Sequence, residues 1–200
     1  MKFFVNFLSA FRIFASFAII VTMRFGMYKT TLVLLLLGEL SDFFDGYLAR
    51  RYNVCSRLGT VLDSIADKFL VVNSLILLCM VMPVWFIFAP SIIMIARELY
   101  MSGLREFAGQ QKIDIHAPNT RLAMGKIKTA FQMISILSFF GFIALTTSVI
   151  STYYHPLINY AIVALPNIGI FSMWFALVAS IWSAVQYTYR FVLAQKKTKK

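Results

Sequence analysis

Long apolar runs separated by short polar segments make up most of the 200-residue chain. A helix that crosses a membrane needs about 20 mostly apolar residues. Six runs of this kind predict helices over residues 4–24, 30–51, 59–82, 84–108, 123–149 and 160–190. Turn-forming stretches separate them, such as "RFGMYK" after the first run and Met82-Pro83 after the third. The pattern therefore predicts an all-α, polytopic membrane protein with six transmembrane helices.

The composition supports this class. Hydrophobic residues make up 60% of the chain and charged residues 14%, whereas soluble domains contain about 25% charged residues. Arg12 interrupts the apolar N-terminal stretch, so we interpret this stretch as a first membrane helix rather than a cleaved signal peptide. We expect one membrane domain over residues 1–195 and a short basic tail over residues 196–200.

The net charge of +11 is unevenly distributed along the chain. Basic residues lie between the apolar runs and near the C-terminus, which is typical of membrane-span flanks and does not indicate a nucleic-acid partner. With six spans, one side of the membrane receives most of them: Arg50, Arg51, Arg57, Lys112, Arg121, Lys126, Lys128 and the terminal lysines. The other side keeps little beyond Arg24 and Lys29. We therefore expect a multi-pass protein of the cytoplasmic membrane, with both termini cytoplasmic.

Four of the eight acidic residues fall within "SDFFDGYLARRYNVCSRLGTVLDSIADKFL". They are Asp42 and Asp45 on the second predicted helix and Asp63 and Asp67 on the third. Each spacing places a pair on one helical face, and the short connection predicts antiparallel neighbours whose carboxylates converge. Converging carboxylates repel one another unless a cation lies between them. Oxygen ligands without His or Cys favour Mg²⁺ or Mn²⁺, with Ca²⁺ as a competitor, and four suffice for two ions.

Two alternative roles are open to these carboxylates: ion pairs that hold helices together, and the ion site of a cation transporter. The neighbouring residues favour a metal site that also takes a diphosphate. Gly46, Ala49 and Gly59 leave room beside the aspartates. Arg50 adds a permanent cation suited to phosphate.

The spacing of these residues resembles the signature of the CDP-alcohol phosphatidyltransferase family: Asp42-x2-Asp45-Gly46-x2-Ala49-Arg50-x8-Gly59-x3-Asp63-x3-Asp67. The resemblance implies a six-helix, usually dimeric membrane fold with a polar cavity open to the cytoplasm. It also implies a CDP-linked lipid donor, an alcohol acceptor, CMP release and two divalent metal ions. By the same resemblance the four aspartates bind the metals and Asp67 is also the general base. The remaining signature residues are expected to bind the CDP-lipid: Gly46, Ala49, Arg50 and Gly59.

Basic residues outside the signature indicate which kind of acceptor the protein binds. Arg97 and Arg105 share one face of the fourth predicted helix, and Lys126 opens the fifth at the same side. These cations suit an acceptor that carries a phosphate. For Arg121 and Lys128 a flanking role and a site role are both open, and Glu98 is expected to pair with an arginine.

The stretches around these residues are similar to the phosphatidylglycerophosphate synthase branch of the family. The resemblance implies CDP-diacylglycerol as the donor and sn-glycerol 3-phosphate as the acceptor, together with membrane lipids and a homodimer as partners. The alternatives are another acceptor (inositol phosphate, serine or phosphatidylglycerol) or a divalent-cation transporter.

Overall fold

A computed structural model of the chain describes residues 2–52, 57–111, 122–149 and 156–198. Within these ranges the protein is all-α, as predicted. The six helices are α1 (Lys2–Arg24), α2 (Tyr28–Tyr52), α3 (Arg57–Val81), α4 (Trp85–Gln110), α5 (Leu122–Val149) and α6 (Pro156–Thr198).

The sixth helix is much longer than the predicted 160–190. It has 43 residues, which corresponds to about 64 Å at 1.5 Å per residue. No proline or glycine interrupts the sequence between residues 170 and 198, so nothing in it ends the helix where the apolar run stops. As a result, the helix continues into residues 196–198 of the predicted basic tail.

A glycine turn joins α1 to α2. Gly26 has a φ of +71°, a left-handed conformation that side chains with a Cβ rarely adopt. Its N–H donates to the Met23 carbonyl at 3.1 Å, and the Met27 N–H donates to the Thr22 carbonyl at 2.9 Å. These two bonds form a Schellman C-cap, and α2 returns along α1 with the Thr22 and Thr31 hydroxyls 2.8 Å apart.

The core lies where the helices approach most closely. α5 and α6 pack along each other, α1 packs against α2 and α3, and α4 packs against α6. At the α5–α6 contact the Phe139 ring lies so close to Gly169 that an added Cβ would be 2.9 Å from the ring. The Ser135 hydroxyl donates to the Gly169 carbonyl at 2.9 Å across the same contact. Small residues and interhelical hydrogen bonds of this kind are typical of helix packing in membranes.

Four of the helices contain segments long and apolar enough to cross a membrane, among the residues that the structure describes. The segments are Phe7–Arg24, Trp85–Gln110, Ile127–Thr147 and Pro156–Lys196. They are covered with exposed apolar side chains, including Phe14, Trp85 and Phe171. These features indicate a polytopic membrane protein, because so much exposed apolar surface is unfavourable in water.

Candidate functional site

A cavity of about 290 Å³ that is lined in part by charged side chains lies between α3, α4, α5 and α6. This volume is near the lower end of the range for small-molecule sites. The lining residues are Asp67, Lys68, Val71, Arg97, Glu98, Arg105, Lys128, Thr129, Gln132, Met133, Ser183 and Tyr187. Four of them are cationic and two are anionic, so the cavity has a net positive charge that suits an anionic ligand.

Arg97 is held in the cavity wall by a residue of its own helix and by two residues of α6. Its Nη1 donates to Glu98 Oε1 at 3.1 Å, which confirms the expected pairing of Glu98 with an arginine. Its Nε donates to the Ser180 carbonyl and its Nη2 to the Ser183 hydroxyl, both at 3.2 Å. Because these two serines belong to α6, the guanidinium joins α4 to α6 and has little freedom to turn.

Lys128 belongs to the same charged cluster. Its Nζ donates to Glu98 Oε1, so one carboxylate oxygen accepts from two cations. The Lys128 side chain is 6% exposed and the Glu98 side chain 20%. A buried lysine that lines a cavity is not a solvated flank, so of the two roles left open for Lys128 the structure favours the site.

Arg105 lies nearer the end of α4 and is exposed. Its guanidinium carbon is 5.9 Å from the centre of the Tyr187 ring, within the range of a cation–π interaction. The α4 and α6 ends are fixed together beside it by Leu104, Ala108, Tyr187 and Phe191. The cavity wall thus includes an exposed cation that lies over an aromatic ring.

Asp67 brings one carboxylate of the aspartate signature to this cavity. It lies on α3, is solvent-exposed and lines the same space as Arg97, Arg105 and Lys128. A predicted base and two of the three predicted acceptor-binding residues therefore border one cavity. The cavity between these helices has space for a small phosphorylated ligand.

Other predicted site residues lie outside the described side chains. The backbone places Asp42 and Asp45 in α2 and Asp63 in α3, but their side chains are not among those described. The same holds for the predicted CDP-lipid and acceptor residues Gly46, Ala49, Arg50, Gly59 and Lys126. The described residues contain no group of three or more metal-ligating side chains, and all four predicted metal ligands, Asp67 included, remain predictions.

Sequence analysis missed several cavity residues, among them Gln132, Ser183 and Tyr187. Gln132 follows Lys128 by four residues on α5, and this spacing places both on one helical face. Once Lys128 is assigned to the site, that periodicity could have identified Gln132. Ser183 and Tyr187 had no such signal, because their place opposite Arg97 and Arg105 depends on how α6 packs against α4.

Comparisons with known proteins give matches to a single family. The family model described as CDP-alcohol phosphatidyltransferase matches residues 3–182. A CDP-diacylglycerol–glycerol-3-phosphate 3-phosphatidyltransferase of Sodalis glossinidius is 31% identical over 157 residues, covering 78% of this chain and 75% of the relative. The enzyme of the same name from Blochmanniella floridana is 30% identical over 165 residues, covering 82% and 76%. That from Rickettsia felis is 41% identical over 108 residues, covering 54% and 56%.

Proposed function

The chain belongs to the CDP-alcohol phosphatidyltransferase family, and from this membership we propose how its cavity serves the reaction. The chain is an enzyme that transfers the phosphatidyl group of CDP-diacylglycerol to sn-glycerol 3-phosphate, giving phosphatidylglycerophosphate and CMP. The cationic cavity supports the assignment of this reaction to particular residues. In it, Asp67 lines the same space as Arg97, Arg105 and Lys128.

The cations bind the acceptor phosphate. Arg105 presents its donors at the opening of the cavity, while Arg97 and Lys128 are fixed deeper by Glu98. Guanidinium groups bind phosphate through paired, charge-assisted hydrogen bonds. These groups lie on α4 and α5, whereas Asp67 lies on α3. When the cations hold the phosphate, the rest of the acceptor therefore extends across the cavity. Lys126 is proposed to join them from the start of α5.

Asp67 accepts the proton of the attacking hydroxyl. The acceptor oxygen forms a bond to the phosphorus on the diacylglycerol side of the diphosphate, and the bond from that phosphorus to the bridging oxygen breaks. CMP leaves with the bridging oxygen and its electron pair, while the hydroxyl proton passes to the Asp67 carboxylate. A carboxylate in hydrogen-bond reach of the hydroxyl can act in this way as a general base.

The predicted metal site fits a family that generally depends on divalent metal ions. Asp42, Asp45, Asp63 and Asp67 form an all-carboxylate donor set of the type that Mg²⁺ and Mn²⁺ prefer. We propose that these four residues hold two such ions. When bound, the ions would neutralise the diphosphate and stabilise the charge that develops on the leaving group. Arg50 with Gly46, Ala49 and Gly59 is proposed to take the CDP part of the donor.

The cationic cavity weighs against the transporter alternative. Lys68, Arg97, Arg105 and Lys128 would repel a divalent cation that entered without an anion. The same charges attract a phosphorylated alcohol. No described feature favours inositol phosphate, serine or phosphatidylglycerol as the acceptor over sn-glycerol 3-phosphate.

CMP release tests the whole assignment. The purified protein is incubated with CDP-diacylglycerol and Mg²⁺ or Mn²⁺, with and without sn-glycerol 3-phosphate. We expect CMP only when both metal and acceptor are present. CMP release with a different alcohol alone would refute the acceptor, and uptake of divalent ions into liposomes without a CDP-lipid would support a transporter.

Topology and assembly are proposals of the same kind. α2 and α3 have 25 residues each, about 37 Å of helix, so length permits all six helices to cross. Six crossings would put both termini on one side of a bacterial cytoplasmic membrane, and the basic flanks predict that this side is cytoplasmic, with the cavity facing it. Reporter fusions at both termini test this topology. Chemical cross-linking in membranes tests the proposed homodimer.

A further inference from the structure

Gln132 is a buried polar residue of the cavity wall. The transfer reaction as proposed above gives this residue no role. The residue lies on α5 and is 3% exposed. Its Nε2 atom is buried and makes no hydrogen bond to any described residue. A buried amide donor without a partner is costly and rare in folded proteins, and it requires a specific cause.

Gln132 forms part of the cavity wall, where a bound ligand could supply the missing partner. The residue lines the cavity together with Lys128 and Thr129 on the same helix and with Asp67 on α3. Its carboxamide offers two N–H donors and a carbonyl acceptor. An alcohol hydroxyl is both a donor and an acceptor, so it can satisfy either end of this group.

The acceptor has one group that the cations and Asp67 leave unrecognised. The phosphate of sn-glycerol 3-phosphate is bound by Arg97, Arg105 and Lys128, and its primary hydroxyl attacks beside Asp67. The secondary hydroxyl on C2 lies between these two ends. Burying a hydroxyl without a hydrogen bond costs free energy, so a polar partner is required on the cavity wall.

We propose that the Gln132 carboxamide hydrogen-bonds the C2 hydroxyl of the acceptor and thereby determines specificity for a glycerol phosphate. The inference rests on the proposed acceptor and adds a residue for its central hydroxyl. Gln132 lies one helical turn from Lys128 on one face of α5, so the hydroxyl and phosphate contacts come from neighbouring positions on a single rigid element.

An acceptor without the C2 hydroxyl tests this directly. 3-Hydroxypropyl phosphate keeps the primary hydroxyl and the phosphate at the same separation. For wild-type protein we expect kcat/KM for sn-glycerol 3-phosphate to exceed that for 3-hydroxypropyl phosphate by roughly 5- to 150-fold, the range for leaving a buried polar group unpaired. A wild-type ratio near one would overturn the proposal without any variant.

The variant Gln132→Met tests whether Gln132 is the source of the preference for sn-glycerol 3-phosphate. Methionine keeps the length and approximate shape of glutamine but cannot make the hydrogen bond. We expect Gln132→Met to lose most of its activity with sn-glycerol 3-phosphate, to change little with 3-hydroxypropyl phosphate and to bring their ratio close to one. Since both acceptors are measured on one sample, the ratio does not depend on the fraction of folded protein.

Two further variants sharpen the outcome. Gln132→Asn keeps the carboxamide one methylene shorter and should give an intermediate ratio. Ser138→Ala removes another buried polar side chain of α5 that does not line the cavity, and it should keep the wild-type ratio. An equal loss with both acceptors in Gln132→Met would mean a purely structural role. Absence of any sn-glycerol 3-phosphate activity in wild-type protein would instead refute the proposed function.

Discussion

Replacement of Glu98 by glutamine changes the charge that holds two cations in the cavity wall. One oxygen of this carboxylate accepts hydrogen bonds from both Arg97 and Lys128. These side chains are 9% and 6% exposed, respectively, so water cannot compensate for the loss of the Glu98 negative charge. Glu98→Gln keeps the shape and an acceptor oxygen, which confines the perturbation to electrostatics.

The expected loss follows from the two hydrogen bonds. A bond to a charged group contributes about 1.5–3 kcal/mol and a neutral one about 0.5–1.5 kcal/mol. Each of the two bonds therefore loses about 1 kcal/mol, or about 2 kcal/mol together. This is less than the 3–5 kcal/mol typical of a buried ion pair broken outright. For a chain of this size it corresponds to a melting temperature lower by roughly 4–8 °C.

Thermal unfolding in detergent, followed by circular dichroism, measures this effect. Glu106→Gln is the matched control, because Glu106 lies on the same helix but is exposed, and a surface change of this kind is expected within about 0.5 kcal/mol. Inorganic phosphate should stabilise Glu98→Gln more than wild-type protein, since it returns negative charge to Arg97 and Lys128. Equal melting temperatures for Glu98→Gln and Glu106→Gln would refute a stabilising role for the shared carboxylate.

Other predictions concern catalysis, acceptor binding, metal and packing. Asp67→Asn should lower kcat by roughly 10²–10⁴-fold with an unchanged circular dichroism spectrum; near-normal turnover would remove Asp67 as the base. Arg105→Ala should raise the sn-glycerol 3-phosphate KM about tenfold, from the loss of a charge-assisted bond, and Tyr187→Leu should raise it less; an unchanged KM in Arg105→Ala would contradict the pocket. EDTA should abolish CMP release, and Mg²⁺ or Mn²⁺ should restore it; metal-independent release would refute the metal site. Gly169→Ala should cost about 1–3 kcal/mol, because the added methyl group meets the rigid Phe139 ring; unchanged thermal unfolding would contradict that contact.

The helices could be predicted from apolar runs in the sequence, and among the described residues four of the six contain a run long enough to cross a membrane. The end of α6 could not be predicted in this way. There the apolar pattern stops near residue 190, but the helix continues because it packs against α4 through Tyr187 and Phe191. Apolar runs identify what the lipid covers, whereas helix ends depend on breakers and on tertiary contacts.

The candidate site was predictable where residues of one helix share a face. Arg97 and Arg105 are eight residues apart on α4, and this periodicity places both at the cavity. Sequence alone left Lys128 undecided, since a lysine near a membrane surface has the same pattern whether it is solvated or buried. Its pairing with Glu98 across α4 and α5 decides the question. Such contacts depend on packing between helices, which no local spacing encodes.

The position of α6 in the chain has a consequence for biosynthesis. A ribosome delivers the helices to the membrane in order, and α6 is made after the five others. Arg97 cannot bond to Ser180 and Ser183, and Arg105 cannot lie over Tyr187, until that last helix has been inserted. During synthesis these two cations on α4 therefore lack their α6 contacts. The proposed acceptor pocket is therefore complete only after α6 has been inserted, so a nascent chain that stops before α6 should be unable to carry out the transfer.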